Sequence, residues 1–391
     1  MSLPLFNLGF RPFFLVAALF SALVMALWVP VYSGHTTLPL ELPVMFWHGH
    51  EMVFGYAPAV LAGFLLTAVR NWTGRQTLSG LPLALLAGCW LIARCAFSTG
   101  QLLLAMAADM LFAMVLLASI LPQLISTRQH RQWGLMLLLC ALLASNLLFY
   151  LAITPQFSLL NIGSLRPALF TGLYLLTAIV ILMIGRLLPA FTSMATDKQV
   201  QLPTASLLDT PRIILMLLFI LLAPGWVAAP HAANAAALVA LILALLHGLR
   251  LWQWRHREIA VRPLLWVIYL AYLFFTVGFA AHALQAFGLA TTVATHAFAV
   301  GGVGLATIGL MARVALGHTG RDVYDPPKSV LLIILLLLLS AATRLAAPLL
   351  PASFYLSAVT TAQLAWILSF ALFLAVYTPM LSTPRPDGKP G

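Results

Sequence analysis

Long apolar runs separated by short polar punctuation fill the whole chain. A helix needs about 20 mostly apolar residues to cross hydrocarbon. Pro, Gly and charged residues cut the sequence into twelve such segments, at 12–32, 44–69, 81–98, 101–124, 133–153, 167–190, 211–229, 233–254, 263–286, 290–316, 328–350 and 353–380. Two joints are thin: Ser98 to Gln101 is a very short turn, and Pro348 to Ser353 is marked mainly by prolines. The pattern predicts an all-α, polytopic membrane protein, organised as one integral membrane domain over 1–391 with a short polar tail at 381–391. The first run follows a segment with a single Arg and lacks a small-x-small cleavage site, so it reads as a retained helix rather than a signal peptide.

The basic residues supply an orientation that the segmentation does not use. Cytoplasmic loops hold the Lys and Arg of a membrane protein. With N-in and C-in topology, all but Arg94, Arg166 and Arg344 of the 20 Lys and Arg fall on or near that side. A miscounted helix would scramble the alternation from that point onward. Composition excludes the soluble classes: 62% hydrophobic and 7% charged residues with a mean hydropathy of +1.03 leave too little polar surface for a water-exposed body. The formal charge of +11 is scattered between apolar segments, so the expected surrounding partner is membrane lipid and no nucleic acid. Cys89, Cys95 and Cys140 form no C-x-x-C pattern, which argues against disulfides and covalent c-type haem. No Walker loop, G-x-G-x-x-G, Ser-His-Asp order or H-E-x-x-H is present, so nucleotide binding and proteolysis have no residues to carry them.

An internal echo runs at an offset of 246 residues. It places His50 on His296, Gly55 on Gly301, Gly63 on Gly309 and Thr73-Gly74-Arg75 on Thr319-Gly320-Arg321. Helices 2 and 10 of the twelve are thereby related, and with eight helices between them they run the same way, as in a parallel repeat of helices 1–2 and 9–10.

Ionisable groups inside lipid are costly and default to function. On this topology His48, His50, His282 and His296 lie near the outer ends of helices 2, 9 and 10; His35 and His231 are in outer loops; and His130, His247, His256 and His318 are at or near the cytoplasmic side. Neutral imidazole is a common ligand for copper and haem iron, which makes the four outer-end histidines the candidate metal site. At about 100° per residue His48 and His50 point to nearly opposite sides of a regular helix, whereas His48, Glu51 and Met52 share a face. That spacing suits two neighbouring centres, or one ligand with Glu51 orienting His48 or supplying a proton. The plainer alternative is a set of imidazoles in the headgroup zone bonded to backbone and water.

Arg94, Asp109 and Arg344 occupy the outer thirds of helices 3, 4 and 11. Arg94 and Asp109 form either a self-neutralising pair or, for the arginine, one of two guanidiniums with Arg344 that suit the propionates of a non-covalent haem. Gly55, Ala59 and Gly63, and the Gly301, Gly302, Gly304 and Gly309 set, read first as close helix packing.

Leu8-Gly9-Phe10-Arg11-Pro12-Phe13-Phe14, Trp47-His48-Gly49-His50-Glu51-Met52, Gly63 to Ala68 with Asn71-Trp72-Thr73-Gly74-Arg75, and Arg313 to Arg321 together resemble the NnrS family. The resemblance runs from near residue 8 to beyond 321 and includes the twelve-helix length. It implies a haem- and copper-containing protein of the bacterial inner membrane, tied to denitrification and to relief of nitric oxide stress. By the same resemblance, haem (non-covalent, b-type) or copper falls on His48, His50, His282 and His296 near the periplasmic face, with nitric oxide or an iron-nitrosyl species as ligand, an electron donor as partner, Arg94 and Arg344 as cofactor contacts, and Glu51 passing protons. The competing class is a transporter of a metal or a small nitrogen-related solute, which twelve helices and a repeat also suit. A non-catalytic sensor or assembly partner would bind metal without turnover.

Overall fold

The computed structural model describes residues 3–40, 42–154, 164–204 and 207–388; Lys389 and the end of the polar tail lie outside them. Among the described residues there is no strand, and eleven helices are long and apolar enough to cross a membrane. In chain order the helices are α1 (Phe10–Tyr32), α2 (Val44–His50), α3 (Ala57–Thr73), α4 (Leu81–Ser98), α5 (Leu102–Ser126), α6 (Trp133–Ile153), α7 (Leu165–Ala195), α8 (Asp209–Leu222), α9 (Pro230–Trp254), α10 (Arg257–Ala260), α11 (Pro263–Leu284), α12 (Thr291–His296), α13 (Leu305–His318), α14 (Ser329–Ala346) and α15 (Ala352–Ser382). The thin joints predicted at 98–101 and 348–353 are real breaks, the first turning on Gly100 at φ 78°.

One predicted span differs in extent. The run at 211–229 is helical only to Leu222, because Pro224 cannot continue the ladder and Gly225 turns at φ 89°. Fourteen residues rise about 21 Å, short of a hydrocarbon core of about 30 Å. The helix nevertheless traverses its unit: Asp209 at its start pairs with Arg250 near the end of antiparallel α9 at 2.5 Å, and Phe219 lies 4.9 Å from the His282 ring in the last turn of α11. The chain ends require that crossing too. Arg11 at the start of α1 donates through Nη1 to Leu381 O and Thr383 O at the end of α15, both at 2.8 Å. Both helix ends therefore lie together, as an even number of crossings would leave them; the eleven candidate spans among the described residues plus α8 give that parity.

The helices group into two units, Met1–Gly172 with Met311–Val323 and Phe370–Gly391, and Leu173–Leu310 with Tyr324–Ser369, whose boundaries fall inside α7, α13 and α15. In the first unit α1 packs along α3, and α4 lies against α5. A Cβ on Gly63 would stand 2.9 Å from the Phe14 ring, so the glycine permits that approach. Asn71, Phe10, His318 and Arg385 gather where α1 starts and α3, α13 and α15 end. Because Arg11 closes this corner on the carbonyls of α15, Arg11→Ala should loosen the C-terminal turn. Amide hydrogen exchange over 379–388 is expected to accelerate several-fold with little change elsewhere; unchanged exchange there would mean the contact carries no stability.

The internal echo has a structural counterpart. Helix α2 ends at His50 and passes into a π segment, Glu51–Tyr56, before α3; α12 ends at His296 and passes into a second π segment, Ala297–Gly304, before α13. The same offset of 246 carries Gly74 (φ 68°), which closes α3, onto Gly320 (φ 73°), just past α13. In each unit a preceding helix, α1 or α11, and a following one, α4 or α14, pack against this interrupted helix. Val44–Thr73 and Thr291–His318, at 78% and 83% buried, are the two most enclosed of the eleven spans.

Candidate functional site

Wide π turns occur mostly as local insertions, frequently at functional sites. The first one carries Glu51 into a fully buried polar cluster. Arg94 on α4 donates through Nη1 to Glu51 Oε1 at 2.7 Å and through Nη2 to Asp109 Oδ2 on α5. From α6, Tyr150 OH at 2.8 Å and Asn146 Nδ2 at 3.3 Å donate to the same Asp109 oxygen. His50 Nδ1 meets Glu51 Oε1 at 3.1 Å, and its Nε2 meets Asn146 Oδ1 at 3.0 Å. Phe97 and Phe149 flank the imidazole at 4.1 and 4.8 Å. Trp90 on α4 ties the π segment itself, donating Nε1 to Gly55 O at 3.0 Å. No member of the cluster is more than 7% exposed.

Hydrogen-bond direction fixes the protons in this cluster. The Asp109 carboxylate can only accept, so the Asn146 amide must present Nδ2 to it and turn Oδ1 toward His50. His50 Nε2 therefore carries a hydrogen. The remaining contact, Nδ1 with Glu51 Oε1, then closes only with one proton between them, as imidazolium facing carboxylate or as imidazole facing carboxylic acid. The charge count agrees. Two carboxylates and one guanidinium would leave a net negative charge deep in the bundle, and one added proton brings the cluster to neutrality. Glu51 Oε2 is buried with no hydrogen-bond partner among the described residues. On one side the cluster reaches a cleft where Asp109 and Asn146 meet Phe54, Pro58, Phe112 and Leu142.

The predicted site residues are thus divided. His48 and His50 belong to the first unit, His282 and His296 to the second. His48 and His50 occupy different surroundings, as their spacing predicts: the half-buried His48 ring stacks on Trp28 at 4.5 Å and 7°. Glu51 orients His50 rather than His48. Both ring nitrogens of His50 are engaged by Glu51 and Asn146, so in this arrangement neither is left to ligate a metal. Arg94 is paired as the self-neutralising reading expects: its guanidinium is held by two carboxylates at 2% exposure. Arg344 is half-buried in the last turn of α14.

In the second unit, His296 Nδ1 lies 2.8 Å from Thr292 O. That bond puts the hydrogen on Nδ1 and the lone pair on Nε2, the tautomer that metal-ligating histidines adopt. The buried His282 ring stands edge-on to Phe219 at 4.9 Å and Tyr174 at 6.2 Å. Phe279 and Phe298 touch at 5.0 Å and set the register of α11 against the following helix. Counting about 1.5 Å per residue from that pair, toward the helix ends on both strands of the hairpin, brings His282 and His296 to a similar depth. Among the described residues no three His, Cys, Asp or Glu are grouped so as to hold a metal ion.

Three residues of chemical weight escape the sequence reading. Asn146 and Tyr150 sit one helical turn apart on α6, and their only sequence signal is an amide and a phenol at four-residue spacing in a run of Leu and Ala. His247, expected near the cytoplasmic side, is 2% exposed within α9, stacked on Phe279 at 5.4 Å and 9° with Nδ1 2.6 Å from Tyr272 OH. Its depth was legible from its place between Leu246 and Leu249, but its partner lies 25 residues away on another helix.

The family model described as NnrS protein matches residues 4–385, nearly the whole chain. No curated protein matches it.

Proposed function

The chain belongs to the NnrS family, and from that premise we propose that it binds or helps remove nitric oxide or iron-nitrosyl species at a haem held by single imidazoles. Membership makes it a membrane protein of nitric oxide response. The observation that supports the metal reading is the Nδ1 contact of His296 with Thr292 O, which holds the ring in the tautomer that metal-ligating histidines adopt. His282, in its aromatic box at similar depth, is the second candidate of this kind. His296 and His282 would each hold a haem iron through a single imidazole. A copper centre built from several ligands of one group finds no such group among the described residues, so copper rests on the family alone and no step is assigned to it.

Haem iron, when bound, supplies the affinity for nitric oxide. The chain's own part is to hold and shield. Thr292 O fixes the His296 ring; Phe219, Tyr174 and Phe298 exclude water beside His282. In the first unit the proton between His50 and Glu51 is a built-in source for chemistry that consumes one, which keeps Glu51 in the acid role. The site would face the periplasm of a bacterial inner membrane, in keeping with the basic residues on the opposite side.

The test is an optical spectrum and metal analysis of full-length, detergent-purified protein, reduced and then exposed to nitric oxide, beside His296→Ala, His282→Ala and His50→Ala. A haem spectrum that nitric oxide shifts and that His296→Ala abolishes, with haem retained in His50→Ala, supports the assignment. Haem lost only in His50→Ala moves the ligand to the first unit. A colourless, metal-free, folded protein ends the metal reading.

A further inference from the structure

At the arginine-rich end of the second unit, cationic donors outnumber acceptors. Arg212 in α8 and Arg250 in α9 both donate to one oxygen, Asp209 Oδ1, at 2.6 and 2.5 Å. Both arginines are more than nine-tenths buried. Arg212 also reaches Leu246 O through Nε at 3.3 Å, and Arg250 lies over the Trp254 ring at 5.2 Å. After those contacts, Arg212 Nη2 and Arg250 Nε are buried with no hydrogen-bond partner among the described residues, and so is His247 Nε2. His247 follows Leu246, whose carbonyl Arg212 bonds, and precedes Arg250 by one turn of α9. Its Nδ1 lies 2.6 Å from the Tyr272 hydroxyl; with that phenol donating, the ring hydrogen sits on the buried Nε2 and supplies a third donor.

Two guanidiniums against one carboxylate leave an uncompensated positive charge, which is costly in a bundle surrounded by lipid. An anion that accepts several hydrogen bonds would satisfy the charge and the donors together. Phosphate oxygens match guanidinium forks, and basic pockets between helices on the Lys- and Arg-rich side of a membrane are suited to lipid headgroups. Access exists through Asp209, whose side chain is 32% exposed. Ile213 and Leu249, each next in sequence to one of the arginines, are exposed apolar surface on which an acyl chain can lie.

We propose that Arg212, Arg250 and His247 bind a phosphate group. The same chemistry is offered by the headgroup of an anionic phospholipid and by free phosphate. The proposal does not depend on the assignment of His282 and His296 to haem.

The test uses full-length protein in detergent, with native mass spectrometry after addition of phosphatidylglycerol, phosphatidylcholine or inorganic phosphate. Retention of phosphatidylglycerol over phosphatidylcholine identifies a lipid headgroup; binding of inorganic phosphate with no lipid preference identifies the free anion. In either case Arg250→Gln should weaken binding by about tenfold or more, as loss of a charge-assisted hydrogen bond does. Asp209→Asn removes the competing carboxylate and should tighten binding, a gain that misfolding cannot produce. Equal retention of both lipids with no phosphate bound, or an Asp209→Asn protein that folds but binds no better than wild type, overturns the proposal.

Discussion

Asp109→Asn is expected to destabilise the protein by about 3–5 kcal/mol, the usual consequence of removing one partner from a buried charge pair. Asp109 Oδ2 is the acceptor for Arg94, Tyr150 and Asn146 at once. An amide in its place would set a donor against some of those three donors, and it would leave Arg94 with Glu51 as its sole counter-charge. Glu51 can neutralise Arg94 only by giving up the proton it shares with His50, so the replacement disturbs both ends of the cluster. Glu51→Gln should be milder, within about 1–2 kcal/mol, because one guanidinium then faces one carboxylate with a neutral His50. Thermal unfolding of the two variants in the same detergent checks this order. Equal melting temperatures for Asp109→Asn and wild type would show that the cluster contributes nothing to stability, and a larger loss in Glu51→Gln would refute the charge count.

A comparable loss, about 1–3 kcal/mol from overpacking, is expected from Gly302→Ala in the second π segment. A Cβ there would run into the Phe275 ring, and one on Gly301 would meet Phe274. Both rings belong to α11, so the collision forces that helix away from the element carrying His296. In the first π segment the equivalent glycine, Gly55, would place its Cβ 2.8 Å from Arg94 Nη1. That nitrogen cannot retreat without loosening its bond to Glu51. Gly88→Ala in α4 and Gly134→Ala in α6 are the controls, because nothing lies within 4 Å of either added Cβ. They should be neutral or slightly stabilising through helix propensity. Melting temperatures that fall equally in Gly302→Ala, Gly88→Ala and Gly134→Ala would remove the packing explanation and leave only a general intolerance of change.

Taken together, the two π segments give related helices unlike chemistry. After His50 the wide turn brings Glu51 into an ionic cluster that holds both imidazole nitrogens. After His296 the corresponding residue is Ala297, which offers no carboxylate, and the ring is fixed instead by a backbone carbonyl. One copy holds its imidazole on two side chains, the other on a backbone carbonyl.

The architecture was readable along the chain because what specifies it is local. The length of an apolar run against the thickness of hydrocarbon gives the spans, and the cost of moving Lys and Arg across gives the side on which each loop lies. The 246-residue echo was visible for the same reason, since glycines and histidines mark their positions without reference to neighbours. The outer-end depth of His48, His50, His282 and His296 followed from the spans. Their surroundings did not. Whether Arg94 met Asp109, Glu51 or a propionate depended on how α2, α4 and α5 are rotated against each other, and that rotation is set by packing of side chains far apart in sequence. The π turns were likewise hidden: an extra residue per turn changes which side chain faces inward without changing composition. Sequence therefore determined that this is an all-α, many-helix membrane protein and roughly where its apolar helices lie, while tertiary packing alone decided that His50 is held by Glu51 and Asn146, that α8 stops at Leu222, and that His247 is buried against Tyr272 and Phe279.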